Sequence, residues 1–334
     1  MRFVSVCSAA LLLLTSLSSQ AEMSADKQQF IDMMVQKHQF TRLELEHILA
    51  QANKNDGILQ AIAKPWEAKP WHQYFPIFLT DKRLNKGLEF WGQHAADLSK
   101  AEQQTGVPAQ IIVAIIGVET FYGGYTGKYP VLDALNTLAF YYPPRQSYFR
   151  KELEQLLLLA REEKFTLNSL LGSYAGAMGW GQFMPSSYRA YALDFDGDGV
   201  RDLLNNPADA IGSVANYFAR HGWQSGQPVA LPVTVKGTDV QDLLSKKLSL
   251  QHSWQQLQSR GVALTDSASA GLVSPTSKAR LLAFEQQEHQ EYWLGLNNFY
   301  VITRYNHSPL YAMAVYQLSE QLRQAKANDA RLSS

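Results

Sequence analysis

Apolar residues recur at helical spacing along most of the chain. Phe30, Met33 and Met34 share one face of a first helix, and Thr41-Arg42-Leu43-Glu44 has the form of a capping box that opens a second through Leu45, Ile48 and Leu49. From Trp66 to Phe78 the pattern breaks, with Pro65, Pro70 and Pro76 set among Trp66, Trp71, Tyr74 and Phe75, and an irregular segment is expected. Helical spacing returns at Leu88 to Leu98. Residues 105–122 then predict a buried helix: Thr105-Gly106-Val107-Pro108 opens it, and Ile111, Ile112, Val113, Ala114, Ile115, Ile116 and Val118 leave no polar face. One ionisable side chain interrupts that run, Glu119, four residues after Ile115 and seven after Ile112, and therefore on their face.

The helix runs into Phe121-Tyr122-Gly123-Gly124-Tyr125 and Gly127, a loop in which the backbone can turn away. A helix around Gln155 to Arg161 leads to a run with glycines at 172, 176, 179 and 181, too rich in glycine for a helix and read as backbone closely approached by another group. Residues 194–209 are acidic, and Ala210 to His221 reads as a helix. Alternation at Val229, Leu231, Val233 and Val235 opens a small β-containing insertion over 224–290. Tyr292 to Tyr305 restores aromatic content, and Pro309 starts a final helix through Tyr311, Met313, Ala314, Val315 and Leu318. The expected class is mainly α (α+β).

Composition narrows the functions available. With 46% hydrophobic and 18% charged residues the chain can bury a large core. Its 30 Lys plus Arg balance 30 Asp plus Glu, and this neutrality argues against a nucleic-acid partner. A single cysteine excludes a disulfide framework and a zinc ribbon. Residues 1–21 carry one basic residue, Arg2, an apolar centre at Leu11 to Leu14 and a small-residue exit at Ser19-Gln20-Ala21, the pattern of a cleavable export signal. Cys7 precedes the apolar run and is no lipobox cysteine. Loss of Arg2 and Cys7 leaves 29 cationic against 30 anionic side chains and no cysteine. No later segment reads as a membrane span, so a soluble, monomeric, periplasmic protein is expected.

Glu119 is the sharpest chemical candidate. An apolar surround disfavours its charged form and raises its pKa, giving a carboxylic acid able to protonate the leaving oxygen of a glycosidic bond. A purely structural glutamate bound to an arginine or to backbone is the competing reading. In Asp194-Phe195-Asp196-Gly197-Asp198-Gly199-Val200, carboxylates at positions 1, 3 and 5, glycine at 6 and a carbonyl at 7 match a calcium loop. Position 12 is Asn205, so closure falls to Asp209. Tyr74, Tyr122, Phe183, Tyr305 and Tyr311 lie in polar or Pro/Gly-rich contexts suited to stacking on sugar rings, whereas His307 reads as structural.

The segments Ile115-Ile116-Gly117-Val118-Glu119-Thr120, 172–188, 209–218 and 298–315 closely resemble the membrane-bound lytic murein transglycosylase B family over most of the chain, least over 224–290. The resemblance implies a lysozyme-like helical core (101–223, completed by 291–325), an N-terminal helical domain (22–100) and the β-containing insertion. It implies peptidoglycan as substrate and Glu119 as the single acid/base that generates 1,6-anhydroMurNAc ends. It also implies substrate contacts at Tyr74, Ser173, Gln182, Phe183, Tyr305, Asn306 and Tyr311, and a structural calcium ion held by Asp194, Asp196, Asp198, the Val200 carbonyl and Asp209. Proteins of cell-wall synthesis or division are the partners such an enzyme would meet. The chain departs from the family in lacking a lipobox cysteine, in the extra carboxylate at Asp196 and in the spacing of Asp209. A hydrolytic muramidase and a noncatalytic peptidoglycan-binding protein are the alternatives.

Overall fold

A computed structural model describes residues 24–63, 69–236, 240–244 and 247–332. The export signal of residues 1–21 lies outside them. The chain divides into two compact units, up to Ile48 and from Leu49 onward.

In the first unit, α1 (Ala25–His38) ends where Gln39 takes a left-handed conformation, φ 59°. The next helix, α2 (Arg42–Gln51), begins where the Thr41 hydroxyl accepts from the Glu44 amide at 3.2 Å, half of the expected capping box. Arg42 pairs with Asp32 and ties α2 to α1.

The second unit holds α3 (Asp56–Ile62), α4 (Trp71–Tyr74), α5 (Asp81–Gln93), α6 (Ala95–Thr105) and α7 (Ala109–Thr120). A two-residue strand β1 (Tyr129–Pro130) leads into the packed pair α8 (Val131–Tyr141) and α9 (Gln146–Glu162) and is closed by its antiparallel partner β2 (Leu171–Gly172). Two further helices follow, α10 (Pro185–Tyr191) and α11 (Pro207–Arg220). The central helix is α7: α5, α6, α11 and the last helix, α14 (Pro309–Leu332), all pack on it, and every residue from Ile111 to Val118 is buried.

Between α11 and α13 (Asn297–Tyr305) lies an antiparallel sheet in the order β4-β6-β7-β3-β5, formed by β3 (Ala230–Val235), β4 (His252–Ser253), β5 (Val262–Leu264), β6 (Lys278–Glu285) and β7 (Gln290–Gly295). One short helix, α12 (Trp254–Ser259), packs on it through Trp254 and Leu257, in a core of its own with Leu231, Val233, Val262 and Leu281.

Helices α5 and α6, within the expected N-terminal helical domain of 22–100, pack on α7. Residues 88–98 are the end of α5, which buries Gly87 and Phe90, and the start of α6, which packs on α11, with the break at His94 (φ −113°, ψ 27°). The sheet of the inserted segment runs to Gly295: β7 is an inner strand between β6 and β3, so Tyr292 belongs to it. Of the segment expected to be irregular, residues 71–77 form α4 and a 3-10 turn, Phe75–Ile77, while residues 64–68 lie outside the described residues.

Candidate active site

Pro108 precedes α7 and the Glu102 carboxylate accepts from the Ala109 amide at 3.2 Å, so the helix start is satisfied without a polar residue inside it. Asp133 is likewise occupied, accepting from the Asn53 amide at 2.8 Å. At the other end Phe121 and Tyr122 both adopt φ near +55° (53° and 59°), which ends the helix at Thr120, one residue past Glu119. Glu119 is the one partly accessible residue between Ile111 and Thr120.

Its side chain enters a cavity of about 310 Å³ lined by Tyr74, Ile77, Phe78, Val118, Asn306 and Tyr311. Among the described residues no second carboxyl lines it. Burial pushes the Glu119 carboxyl up to about 7, and a hydrogen bond donated by the Tyr311 hydroxyl to Oε1, 2.5 Å, pulls in the opposite direction and loses. The Tyr311 and Tyr305 phenols are held well above their usual value, by burial first and then by the neighbouring Glu119, so both remain donors. A carboxyl kept protonated near neutrality in an otherwise uncharged cleft can deliver a proton to a bound oxygen and take one back.

The structure gathers Tyr74, Asn306 and Tyr311 around Glu119, and places Ser173, Gln182, Phe183 and Tyr305 outside the lining of this cavity. Ser173 Oγ accepts from the Ala175 and Ala177 amides (3.3 and 3.1 Å), which curls the glycine-rich run. Gln182, at φ 50°, donates through Nε2 to the carbonyls of Thr126 and Gly179, each at 3.0 Å. The Phe183 ring is 2% exposed and meets the rings of Tyr217 and Tyr305 edge-on. Tyr305 donates to the Gly181 carbonyl at 2.5 Å. The close approach inferred for the glycines is therefore made by the protein itself: a Cβ on Gly179 would lie 2.2 Å from the Leu203 carbonyl oxygen, and Gly179 has φ +72°. His307 is largely exposed, and partial desolvation, with Arg304 and Arg145 nearby, lowers its pKa. Ile77, Phe78 and Val118 are lining residues that sequence reasoning missed. Val118 was readable as the neighbour of Glu119, whereas Ile77 and Phe78 sat in a segment without period.

The acidic loop curls through its own amides. Asp194 accepts from Gly197 and Gly199 (2.8 and 2.9 Å), Asp196 from Asp198 (3.2 Å) and Asp198 from Val200 (2.8 Å). Asp209, in the first turn of α11 and fully buried, accepts from the Phe195 and Asp202 amides at 2.7 Å each, and burial raises its pKa. Oxygens of Asp194, Asp196 and Asp209 lie within 4.8 Å of one another, a hard donor set that fits a cation such as calcium. The Asp198 carboxylate lies outside that trio.

A helical core built around one buried helix, with a single protonatable carboxyl at the floor of an aromatic cleft, defines a lysozyme-like glycan-cleaving enzyme. The family model described as the transglycosylase SLT domain matches residues 22–320. The membrane-bound lytic murein transglycosylase B of Escherichia coli (strain K12) is 46% identical over 309 residues, 90% of this chain and 83% of that protein. Among solved structures, the catenated lytic transglycosylase SltB1 from Pseudomonas aeruginosa superposes with a TM-score of 0.86 at 47% identity, covering 91% of this chain and 98% of that one. The Escherichia coli lytic transglycosylase Slt35 in complex with calcium gives 0.82 at 44% identity, covering 91% and 94%. The chain belongs to the transglycosylase SLT domain family.

Proposed function

We propose that this protein is a lytic transglycosylase that cleaves the β-1,4 bond between MurNAc and GlcNAc in peptidoglycan, with Glu119 acting first as acid and then as base. The observation that carries the reading is a carboxyl, held at about 7, in a cavity that no second carboxylate of the described residues lines. A glycosidase that releases its product by hydrolysis uses two carboxyl groups in most families, one of them to form a glycosyl intermediate or to activate water. Here the geometry suits a nucleophile supplied by the substrate. Glu119 protonates the bridging oxygen as the C1–O bond breaks. The resulting carboxylate takes the proton of the C6 hydroxyl on the same MurNAc, whose oxygen bonds to C1 and closes the 1,6-anhydro ring. Glu119 ends protonated, no water is consumed, and the attack benefits from the high effective concentration of a group on the same ring.

Tyr311 orients the acid through its hydrogen bond, Asn306 offers an amide to sugar hydroxyl or N-acetyl groups, and Tyr74 and Phe78 supply flat apolar faces. Ser173, Gln182, Phe183 and Tyr305 support the cleft by ordering the glycine-rich run beneath it. Asp194, Asp196 and Asp209, with Asp198 and the Val200 carbonyl completing the set, would hold a calcium ion that stiffens the loop and takes no part in the reaction. Residues 1–21 direct the chain to the periplasm. Among the described residues no helix is long and apolar enough to cross a membrane.

The test is the mass of the released muropeptides together with the variant Glu119→Gln. Anhydro products, about 18 Da lighter than hydrated ones, that disappear in Glu119→Gln support the assignment. Hydrated products indicate a muramidase. Near-wild-type turnover by Glu119→Gln removes Glu119 from the chemistry.

A further inference from the structure

One wall of the cavity is held by a cation whose hydrogen bonds go to backbone. Arg83, in the first turn of α5, donates from Nε to the Gly117 carbonyl at 3.1 Å, and from Nη1 to the carbonyls of Ile77 at 2.6 Å and Phe78 at 2.9 Å. Its guanidinium carbon lies 5.3 Å from the ring centres of both Phe78 and Phe121. Among the described residues no carboxylate pairs with it. Burial lowers its pKa, yet an arginine stays charged, and these three hydrogen bonds all go to backbone carbonyls.

The three carbonyls belong to the two sides of the cleft. Ile77 and Phe78 line the cavity, while Gly117 lies on α7 two residues before Glu119. The segment that carries Ile77 and Phe78 is a four-residue helix and one 3-10 turn, interrupted by Pro76, too short to hold its place by its own ladder. The Thr80 hydroxyl accepts from the Arg83 amide at 3.2 Å and so fixes the arginine at the start of α5, directly after that segment.

We propose that Arg83 is a positioning residue of the cleft. Its guanidinium fork fastens the Ile77–Phe78 wall to the helix that carries Glu119, and so sets the width of the space into which a sugar ring fits. This rests on the reading of the cavity as the glycan site. A lysine is a poor substitute because one ammonium group cannot span carbonyls on two elements in the plane of a fork, nor stack between two rings. The charge itself is not what matters for the acid, since the shift of Glu119 arises from burial and Tyr311 with no contribution from Arg83.

Arg83→Lys in the full chain tests this by hydrogen–deuterium exchange and kinetics on solubilised peptidoglycan. The expected result is exchange about tenfold faster in residues 75–80 with α7 unchanged, KM raised about five- to tenfold, kcat altered less than about twofold, and the fall in activity above neutrality unmoved in pH. Unchanged exchange at 75–80 overturns the clamp. Faster exchange with an unchanged KM overturns the positioning role, and a moved pH limb shows that Arg83 acts through charge and overturns it as well. If Arg83→Lys speeds exchange throughout the chain, Phe121→Leu, which removes one of the two rings against the guanidinium, gives the same reading with a smaller disturbance: locally faster exchange and a raised KM support the clamp, and neither change overturns it. Failure of the transglycosylase assignment would show separately, as turnover retained by Glu119→Gln, and leaves the exchange result standing.

Discussion

At the scale of single residues, Glu119 couples function to a stability cost. Its carboxyl titrates near 7 in the folded chain against an ordinary value of 4.5, so between those values the native state binds more protons than the unfolded state. Stability therefore falls as pH rises from about 4.5 to about 7 and stays at its lower level above. Glu119→Gln, which cannot ionise and can still accept from Tyr311, is expected to melt higher than wild type at pH 8, by up to roughly 3 kcal/mol, and to show little difference at pH 4.5. Calorimetry at the two pH values checks this, and equal melting shifts would mean that Glu119 is not desolvated. Tyr311→Phe removes the hydroxyl that holds the carboxyl down, so the Glu119 pKa is expected to rise further and the alkaline limb of the pH–rate profile to move to higher pH, with a lower maximum rate because the acid loses its orientation. Glu119 was legible from sequence because one ionisable residue stood in an unbroken apolar run. That Ser173, Gln182 and Tyr305 spend their polar groups on the backbone around the glycine-rich run was not, since it depends on contacts between distant segments such as Tyr305 with Gly181.

At the scale of elements, the acidic loop and the catalytic helix are joined by a short chain of hydrogen bonds. The Trp180 amide donates to the Leu203 carbonyl at 3.0 Å, and the Thr120 hydroxyl, next to Glu119, donates to the Trp180 carbonyl at 2.9 Å. Tyr188 braces the far side, accepting from the Leu203 amide at 3.0 Å and donating to the Arg201 carbonyl. Excess chelator is expected to lower the melting temperature by several degrees, restored by calcium and less well by magnesium, whose tighter octahedral geometry suits this loop poorly. A melting temperature indifferent to chelator would count against a structural cation. The helices α7 and α14 were legible in outline, because an apolar run opened by a proline specifies both start and burial. The break at His94 was not, because it reflects which neighbours α5 and α6 meet, and Gly92, two residues before it, still lies inside α5.

At the scale of the molecule, the inserted sheet supports the cleft as well as its own core. Phe284 of β6 is 1% exposed and its ring lies 5.2 Å from that of Trp71, at the start of the segment that carries Tyr74, Ile77 and Phe78. Phe284→Ala is expected to cost about 3–5 kcal/mol in denaturant unfolding and to weaken binding of N-acetylglucosamine oligomers, read by calorimetry. A destabilised variant with unaltered binding would separate the sheet from the cleft. The alternation at 229–235 announced the sheet, and the sequence showed no route from it to Trp71, because that contact joins residues more than two hundred positions apart.

The central claim is that one carboxyl serves as both acid and base while the substrate supplies the nucleophile. Mass spectrometry of products formed in 18O-labelled water tests it most directly. The account predicts anhydro-muropeptides about 18 Da below their hydrated counterparts, free of label at C1 and absent with Glu119→Gln; hydrated products carrying 18O at C1 would contradict it.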